Sequence, residues 1–274
     1  IDVNGINDLL GPGGGSKLVA RNAEAAIKVE TGMKGVKIMN LMVSGGTEAK
    51  NIGIHFVGAT DNGMLSNIIG INLHTGVKIE QAKNMQIVNC WVCELPNSIE
   101  LIGGENIVVK NCQLGAQPTG ITCKVQEVNK LSFINNQVYP DGRENLVLDA
   151  CNNCVIEGNN FKSYYNGILV LNGNDNTVNK NIFWLTGAVQ NQLLDHGDDF
   201  GIINVKGNNN IVASNSLSCE WAYAGAVTVN AVQGTGNVFK NCFVDNLESY
   251  RVFLVNAQTE VSNCVSSDKV SIVE

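Results

Sequence analysis

Basic clusters, long apolar runs, heptad patterns and proline are all scarce in this chain, and each scarcity removes a class of protein. The 18 lysines and arginines against 25 acidic residues give a formal net charge of −7. No group of basic residues could neutralise a phosphate backbone, so no nucleic-acid partner is expected. A neutral or cationic ligand fits this balance better. No apolar run reaches the roughly 18 residues of a membrane-spanning helix, so no membrane partner is expected either. The chain opens at Ile1 rather than Met, which reads as processing or truncation and leaves the compartment open. Charged residues make up only 16% of the chain, aromatics 6%, and there are 4 prolines, with no amphipathic helical period. These absences exclude a helical bundle. What is present, 29 glycines and abundant asparagine in a chain that is 44% hydrophobic, points to short strands between tight turns, hence an all-β protein.

An internal repeat organises those strands. The pattern apolar-x-x-(Asn or Cys)-x-apolar recurs at Ile87 to Val92, Val109 to Leu114, Phe133 to Val138, Ile156 to Phe161, Val178 to Phe183 and Val212 to Leu217. Its fourth position reads as one column: Asn40, Asn67, Cys90, Cys112, Asn136, Asn159, Asn181, Asn215, Cys242 and Cys264. Steps of 27, 23, 22, 24, 23, 22, 34, 27 and 22 residues separate its members, each except the 34 the length of one coil of a parallel solenoid. An inward asparagine at a coil bend can bond its own backbone and the next amide along the axis, which predicts an asparagine ladder. Between these bends, Gly76 to Glu80, Ser98 to Ile102, Asn145 to Asp149 and Gly167 to Leu171 alternate inward apolar with outward side chains. The expected fold is a single-domain right-handed parallel β-helix of about ten coils over residues 1–274, with 1–16 as a lead-in segment and the repeats starting near residue 17.

Cys90/Cys93 and Cys151/Cys154 have CxxC spacing, which invites a disulfide or zinc reading. The repeat accounts for them better, since cysteine at a ladder position is a small, buried, weakly polar filler. Most of the 9 cysteines are therefore expected as reduced core residues, with no metal and no cofactor. Gly11 to Gly15 lacks the spacing of a phosphate-binding loop. The 34-residue step marks an insertion, residues 184–200, that holds Trp184, Asp195, His196, Asp198 and Asp199. Long loops on a regular solenoid tend to carry function. A solvated acidic loop is the plain alternative.

Several consecutive segments resemble one family. They are Ser98 to Leu101, Leu114 to Gly120, Pro140 to Arg143, Cys151 to Cys154, Tyr164 to Ile168, Leu171 to Gly173, Asp198 to Ile203 and Gly207 to Asn210. Read in order from about Gly76 to Asp268, they are similar to the inulin fructotransferases and difructose-dianhydride hydrolases of glycoside hydrolase family 91. The resemblance implies a homotrimer with active sites between subunits, acting on a fructan or on the cyclic difructose made from it. A fructose hydroxyl displaces a glycosidic oxygen at the anomeric carbon, or water reopens the ring, and either direction calls for a carboxylic acid and a carboxylate.

Carried over residue by residue, the family's glutamate falls on Glu100, while the position of its aspartate falls on Asn89, which cannot exchange a proton. Glu94, in the preceding turn, is the nearest substitute. Glu100 alternates with Ile99 and Leu101 and is expected to point outward, either into a groove or simply into solvent. Arg143 could orient a sugar hydroxyl or tie down the turn at Asp141-Gly142. Of the three tryptophans, Trp91 lies in a repeat and Trp221 follows a rung, so Trp184 is the expected sugar platform. His196, Asp198 and Asp199 are expected to bind saccharide hydroxyls. A diverged saccharide-binding relative, a trimeric tailspike-like stem and a polysaccharide lyase remain as alternatives.

Overall fold

The computed structural model describes residues 2–3, 8–10, 16–20, 23–45, 51–165, 167–186, 200–219, 227–245, 252–265 and 270–273. All regular structure among them is β-strand, and every strand pairs in parallel with the coil before or after it. One coil shows the plan. Trp91–Leu95 forms a first face, residues 97–102 a second, and residues 107–110 a third, where Val108 to Lys110 pair with Gln86 to Val88 of the coil before. Asn89 and Cys90 turn the chain from third face to first. Gly103 and Gly104, at φ +68° and +117°, turn it from second to third.

Because pairing is parallel and in register, each inward position becomes a file along the axis. On the first face the file runs Leu18, Val43, Gly70, Val92, Leu114, Val138, Phe161, Phe183, Leu217 and Val244. Phe161 and Phe183, both fully buried, stack with ring centroids 5.0 Å apart and planes 1° apart, so the coil spacing sets the ring spacing. Burying such side chains contributes about 1.5–3 kcal/mol each. The repeat also begins before residue 17. Asp2–Val3 pairs with Lys28 and Val29, and Asp8–Leu10 pairs with Lys37 to Met39, so part of the expected lead-in segment already belongs to the solenoid.

The ladder holds for eight of its ten expected members. The Asn136 backbone N–H and side-chain amide both donate to Asn159 Oδ1, at 2.8 and 3.0 Å, and Asn159 does the same to Asn181 Oδ1 at 2.9 Å. Asn181 repeats the arrangement on Asn215. At the ends cysteine substitutes: the Cys90 N–H donates to Cys112 Sγ, and that of Cys242 to Cys264 Sγ. All eight cysteines whose side chains are described are buried and free of disulfides. The thiols at the bends donate to backbone carbonyls there, as Cys112 does to Lys110 and Cys154 to Asn152.

Asn40 and Asn67 are the correction. Register places Leu41 and Ile68, not these asparagines, at the height of Cys90. Asn40 and Asn67 belong one residue earlier, in an outer file with Asn89, Asn111 and Asn135, all with φ between 53° and 58°. Left-handed backbone is needed there to tuck the next residue inward, and asparagine adopts it more readily than other residues with a side chain. A second ladder, absent from the sequence reading, lies at the bend from second to third face. There the Cys154 N–H donates to Asn176 Oδ1, and Asn176 and then Asn210 each donate twice to the next amide, ending at Asn237.

Removing one central amide strands several partners. Asn159→Ala would remove the acceptor of the Asn136 backbone N–H and one of the two partners of its side-chain amide, together with the donor to the Phe133 carbonyl, which accepts from Asn159 at 2.8 Å in a dry bend. A loss of about 3 kcal/mol or more is expected. Cys112→Asn, which supplies an amide where a thiol now stands, should change stability by less than about 1 kcal/mol. Urea unfolding of the two variants checks the contrast.

Candidate functional site

The first-face strand Trp91–Leu95 is irregular. Val92 pairs with Leu114 and Leu95 with Ala116, so Cys93 and Glu94 together oppose Gly115 alone. This is a β-bulge, with Glu94 at φ 63° as its left-handed residue. A bulge re-aims a side chain and twists the strand locally. Here it turns Glu94 into a cavity of about 190 Å³ lined by Trp91, Cys93, Glu94, Gly115, Ala116, Tyr139 and Asp141. Burial, reinforced by the Glu94 charge, pushes the Cys93 thiol up to about 12, so it stays protonated as part of the wall. Tyr139, 39% exposed, donates its hydroxyl to Gln113 Oε1 at 3.2 Å, which holds its ring at the rim. Asp141 lines the cavity just before Gly142, which packs against the preceding coil. A Cβ there would lie 2.4 Å from Thr122 Oγ1.

Trp91 also borders a second concavity on its other side. This groove, of about 430 Å³, is lined by Asn40, Asn67, Ile68, Ile69, Asn89 and Trp91. Asn89 therefore sits beside Trp91 but in the outer left-handed file, exposed at φ 55°.

Glu100 lies around the corner on the second face, half-buried, directly between Lys78 of the preceding coil and Lys124 of the following one. It pairs with neither. Lys78 Nζ is instead 2.8 Å from Glu80 Oε1, to which His55 Nε2 also donates at 3.2 Å. Among the described residues the Glu100 carboxylate makes no hydrogen bond or ion pair. Arg143, two residues beyond Asp141, has a 43% exposed side chain and its Nε 3.8 Å from Glu144 Oε1. Trp184 lies on the first face one coil beyond Lys162, whose ammonium sits 4.7 Å from the ring centroid and occupies one face of the indole. His196, Asp198 and Asp199 lie outside the described residues.

Glu94 and Asn89 are thus gathered around Trp91, while Glu100, Arg143 and Trp184 occupy other positions on the solenoid. Trp91, Tyr139 and Asp141 are the residues that reading the sequence missed. Trp91 looked like an ordinary repeat position, and only the bulge two residues later shows that its strand is open on the outside. Among the described residues no group of three or more His, Cys, Asp or Glu could hold a metal ion, and no helix is long and apolar enough to cross a membrane.

The Glu80 clamp has a pH consequence. The Lys78 ammonium, opposed by burial and aided by His55, holds the Glu80 carboxyl below its ordinary value of 4.5. A depressed folded-state value stabilises the fold at pH above the unfolded value and is lost as pH falls through the folded one. Glu80→Gln should therefore narrow the difference in melting temperature between pH 7 and pH below about 4. An unchanged difference would mean that the clamp contributes nothing to stability.

A family profile described as a right handed beta helix region matches residues 119–272. No curated protein matches the chain. Among solved structures, the DFA-IIIase of Arthrobacter chlorophenolicus A6 without its lid is similar at 20% identity and a TM-score of 0.76, over 92% of this chain and 69% of that one. The same enzyme without its lid in complex with GF2 gives 22% identity and a TM-score of 0.77, over 92% and 69%. The Dettilon tailspike protein gives 13% identity and a TM-score of 0.51, over 92% and 60%. At these identities the likeness is one of fold. The profile, which spans more than half of the chain and agrees with the parallel coils and their ladders, shows that this chain belongs to the right handed beta helix region family.

Proposed function

We propose that this chain is a carbohydrate-active β-helix that acts on fructan or difructose saccharides, forming or hydrolysing a difructose dianhydride by acid/base-assisted fructosyl transfer. The observation that carries this reading is the bulged cavity, where an indole and a phenol ring stand beside two carboxylates, Glu94 and Asp141. Aromatic faces with nearby hydrogen-bonding acids suit a neutral sugar, which offers apolar C–H faces and hydroxyl edges. The DFA-IIIase structures of similar fold include complexes with GF2 and with DFA-III. Glu100 is the proposed principal carboxylate, consistent with its lack of a described partner. Glu94 acts with it, and Arg143 orients a hydroxyl. Trp184, His196, Asp198 and Asp199 complete the proposed substrate contacts.

A homotrimer with sites between subunits fits this reading, because Glu100 and the cavity lie on different faces of one chain. Ile182, Phe243 and Val265 are 49%, 51% and 48% exposed; Phe243 follows Ile182 two coils along one outward file of the first face. Exposed apolar side chains in a file are what a subunit contact would cover. Phe243→Asp should dissociate the assembly in sedimentation, while a wild-type monomer would exclude the trimer.

A second reading is favoured by the tailspike likeness: a trimeric stem with a structural or adhesive role and no turnover. Incubation with inulin and with difructose anhydride, followed by chromatography, separates the two. Product formation is expected, falling by a factor on the order of 10² in Glu100→Gln, as for the loss of a general acid or base. Asn89→Asp, which keeps a residue tolerant of left-handed backbone, should raise the activity. Unchanged turnover in Glu100→Gln would overturn that assignment.

A further inference from the structure

The cavity is too small for a chain of sugars. At about 190 Å³ it falls below the roughly 300–1,000 Å³ of pockets that enclose whole small-molecule ligands, and so it suits a single ring. Any further rings of a bound saccharide have to lie outside it. Trp91 is the wall shared by this cavity and the larger asparagine-lined groove, so a ligand leaving the cavity across the indole enters that groove.

The groove is built for hydroxyl groups. Register puts Asn40, Asn67 and Asn89 on successive coils, in one file along the axis at a spacing of about 4.8 Å. Asn67 donates to Asn40 Oδ1 at 2.9 Å, and this is their sole described side-chain bond. The Asn67 oxygen, the Asn40 amide hydrogens and both ends of the Asn89 amide are therefore left to a ligand. An amide presents donor and acceptor side by side, which matches a hydroxyl able to serve as either. None of the three carries charge, so the row suits a neutral saccharide rather than a uronate or phosphate.

Resting on the proposed saccharide activity, we infer that the asparagine file Asn40–Asn67–Asn89 is a second subsite, and that the preferred ligand is a linear neutral oligosaccharide of three or more rings laid along the helix axis across Trp91. Asn40 stands four coils from Tyr139, or about 19 Å along the axis, a length that a single ring or a disaccharide does not fill. The left-handed turn and the ligand contact then draw on the same residue type. Asparagine relieves the backbone conformation, and its exposed amide reads the sugar.

Substitution by glycine separates those two roles, because glycine takes positive φ without strain while deleting the amide. The experiment is calorimetric titration of the full chain and of Asn67→Gly/Asn89→Gly with β-2,1-linked oligosaccharides of two, three, four and five fructose rings, with circular dichroism melts as the folding control. Wild-type affinity should rise with length up to about four rings. The double variant should lose roughly tenfold for four rings, as expected for two or so hydrogen bonds, and less than about twofold for two rings. Equal losses at all lengths, or none, would overturn the subsite while leaving the saccharide reading intact. Absence of binding by the wild type at every length would overturn the saccharide reading itself. Trp91→Ala supplies a second arm: it should weaken short and long ligands alike, since it borders both spaces, and a loss confined to one length would contradict the shared wall.

Discussion

Hydrogen bonding from coil to coil along the axis is the constraint on which everything else in this protein rests. Strands satisfy it through the peptide groups of their parallel neighbours, but at each bend the backbone leaves the sheet and its polar groups face a dry interior. A buried amide or carbonyl without a partner costs about 1–3 kcal/mol, and a solenoid repeats the problem at every turn. Two stacks of asparagine answer it. In the first, Asn136, Asn159, Asn181 and Asn215 each accept from the coil before and donate to a bend carbonyl. In the second, Asn176, Asn210 and Asn237 do the same. Cysteine replaces the amide where a small side chain and a weak donor suffice, as at Cys90, Cys112 and Cys154.

That constraint also shapes the surface. Once coils are locked in register, outward side chains fall into files as regular as the core: Ile69, Trp91 and Gln113 in one, and His55, Lys78, Glu100 and Lys124 in another. The smaller cavity opens where that regularity fails, at the bulge where Cys93 and Glu94 stand opposite Gly115, while the larger groove follows the asparagine file. The missing side chain at Gly115 and the outward turn of Glu94 together make the cavity. On the second face the charges arrange themselves differently. Glu80 draws in both Lys78 and His55, and so Glu100 has no partner among the described residues although a lysine lies on each side of it.

Asn89 has a structural cause that alignment to an enzyme family does not supply. It belongs to a file of left-handed turn residues in which asparagine recurs from Asn40 to Asn135, and its exposure follows from that turn. Aspartate would tolerate the same backbone, so the turn permits either residue.

Much of this architecture was legible in the sequence because a 22- to 27-residue period of apolar alternation and buried asparagine admits few folds other than a parallel β-helix. The eight members from Cys90 to Cys264 and the outward setting of Glu100 could be read directly. Register at the first coils could not. Asn40 and Asn67 satisfy the residue type of the ladder, yet the apolar Leu41 and Ile68 fill its place, and a one-residue shift exchanges inside for outside. The second ladder, Cys154, Asn176, Asn210 and Asn237, stands five residues before Asn159, Asn181, Asn215 and Cys242 and keeps their spacing, yet that these amides bond one another is seen only when the coils stack. The cavity, too, was decided by tertiary structure alone. A bulge is one extra residue judged against the neighbouring coil, and Trp91, Glu94, Tyr139 and Asp141, 50 residues apart at the extremes, converge because stacking sets their strands only two coils apart.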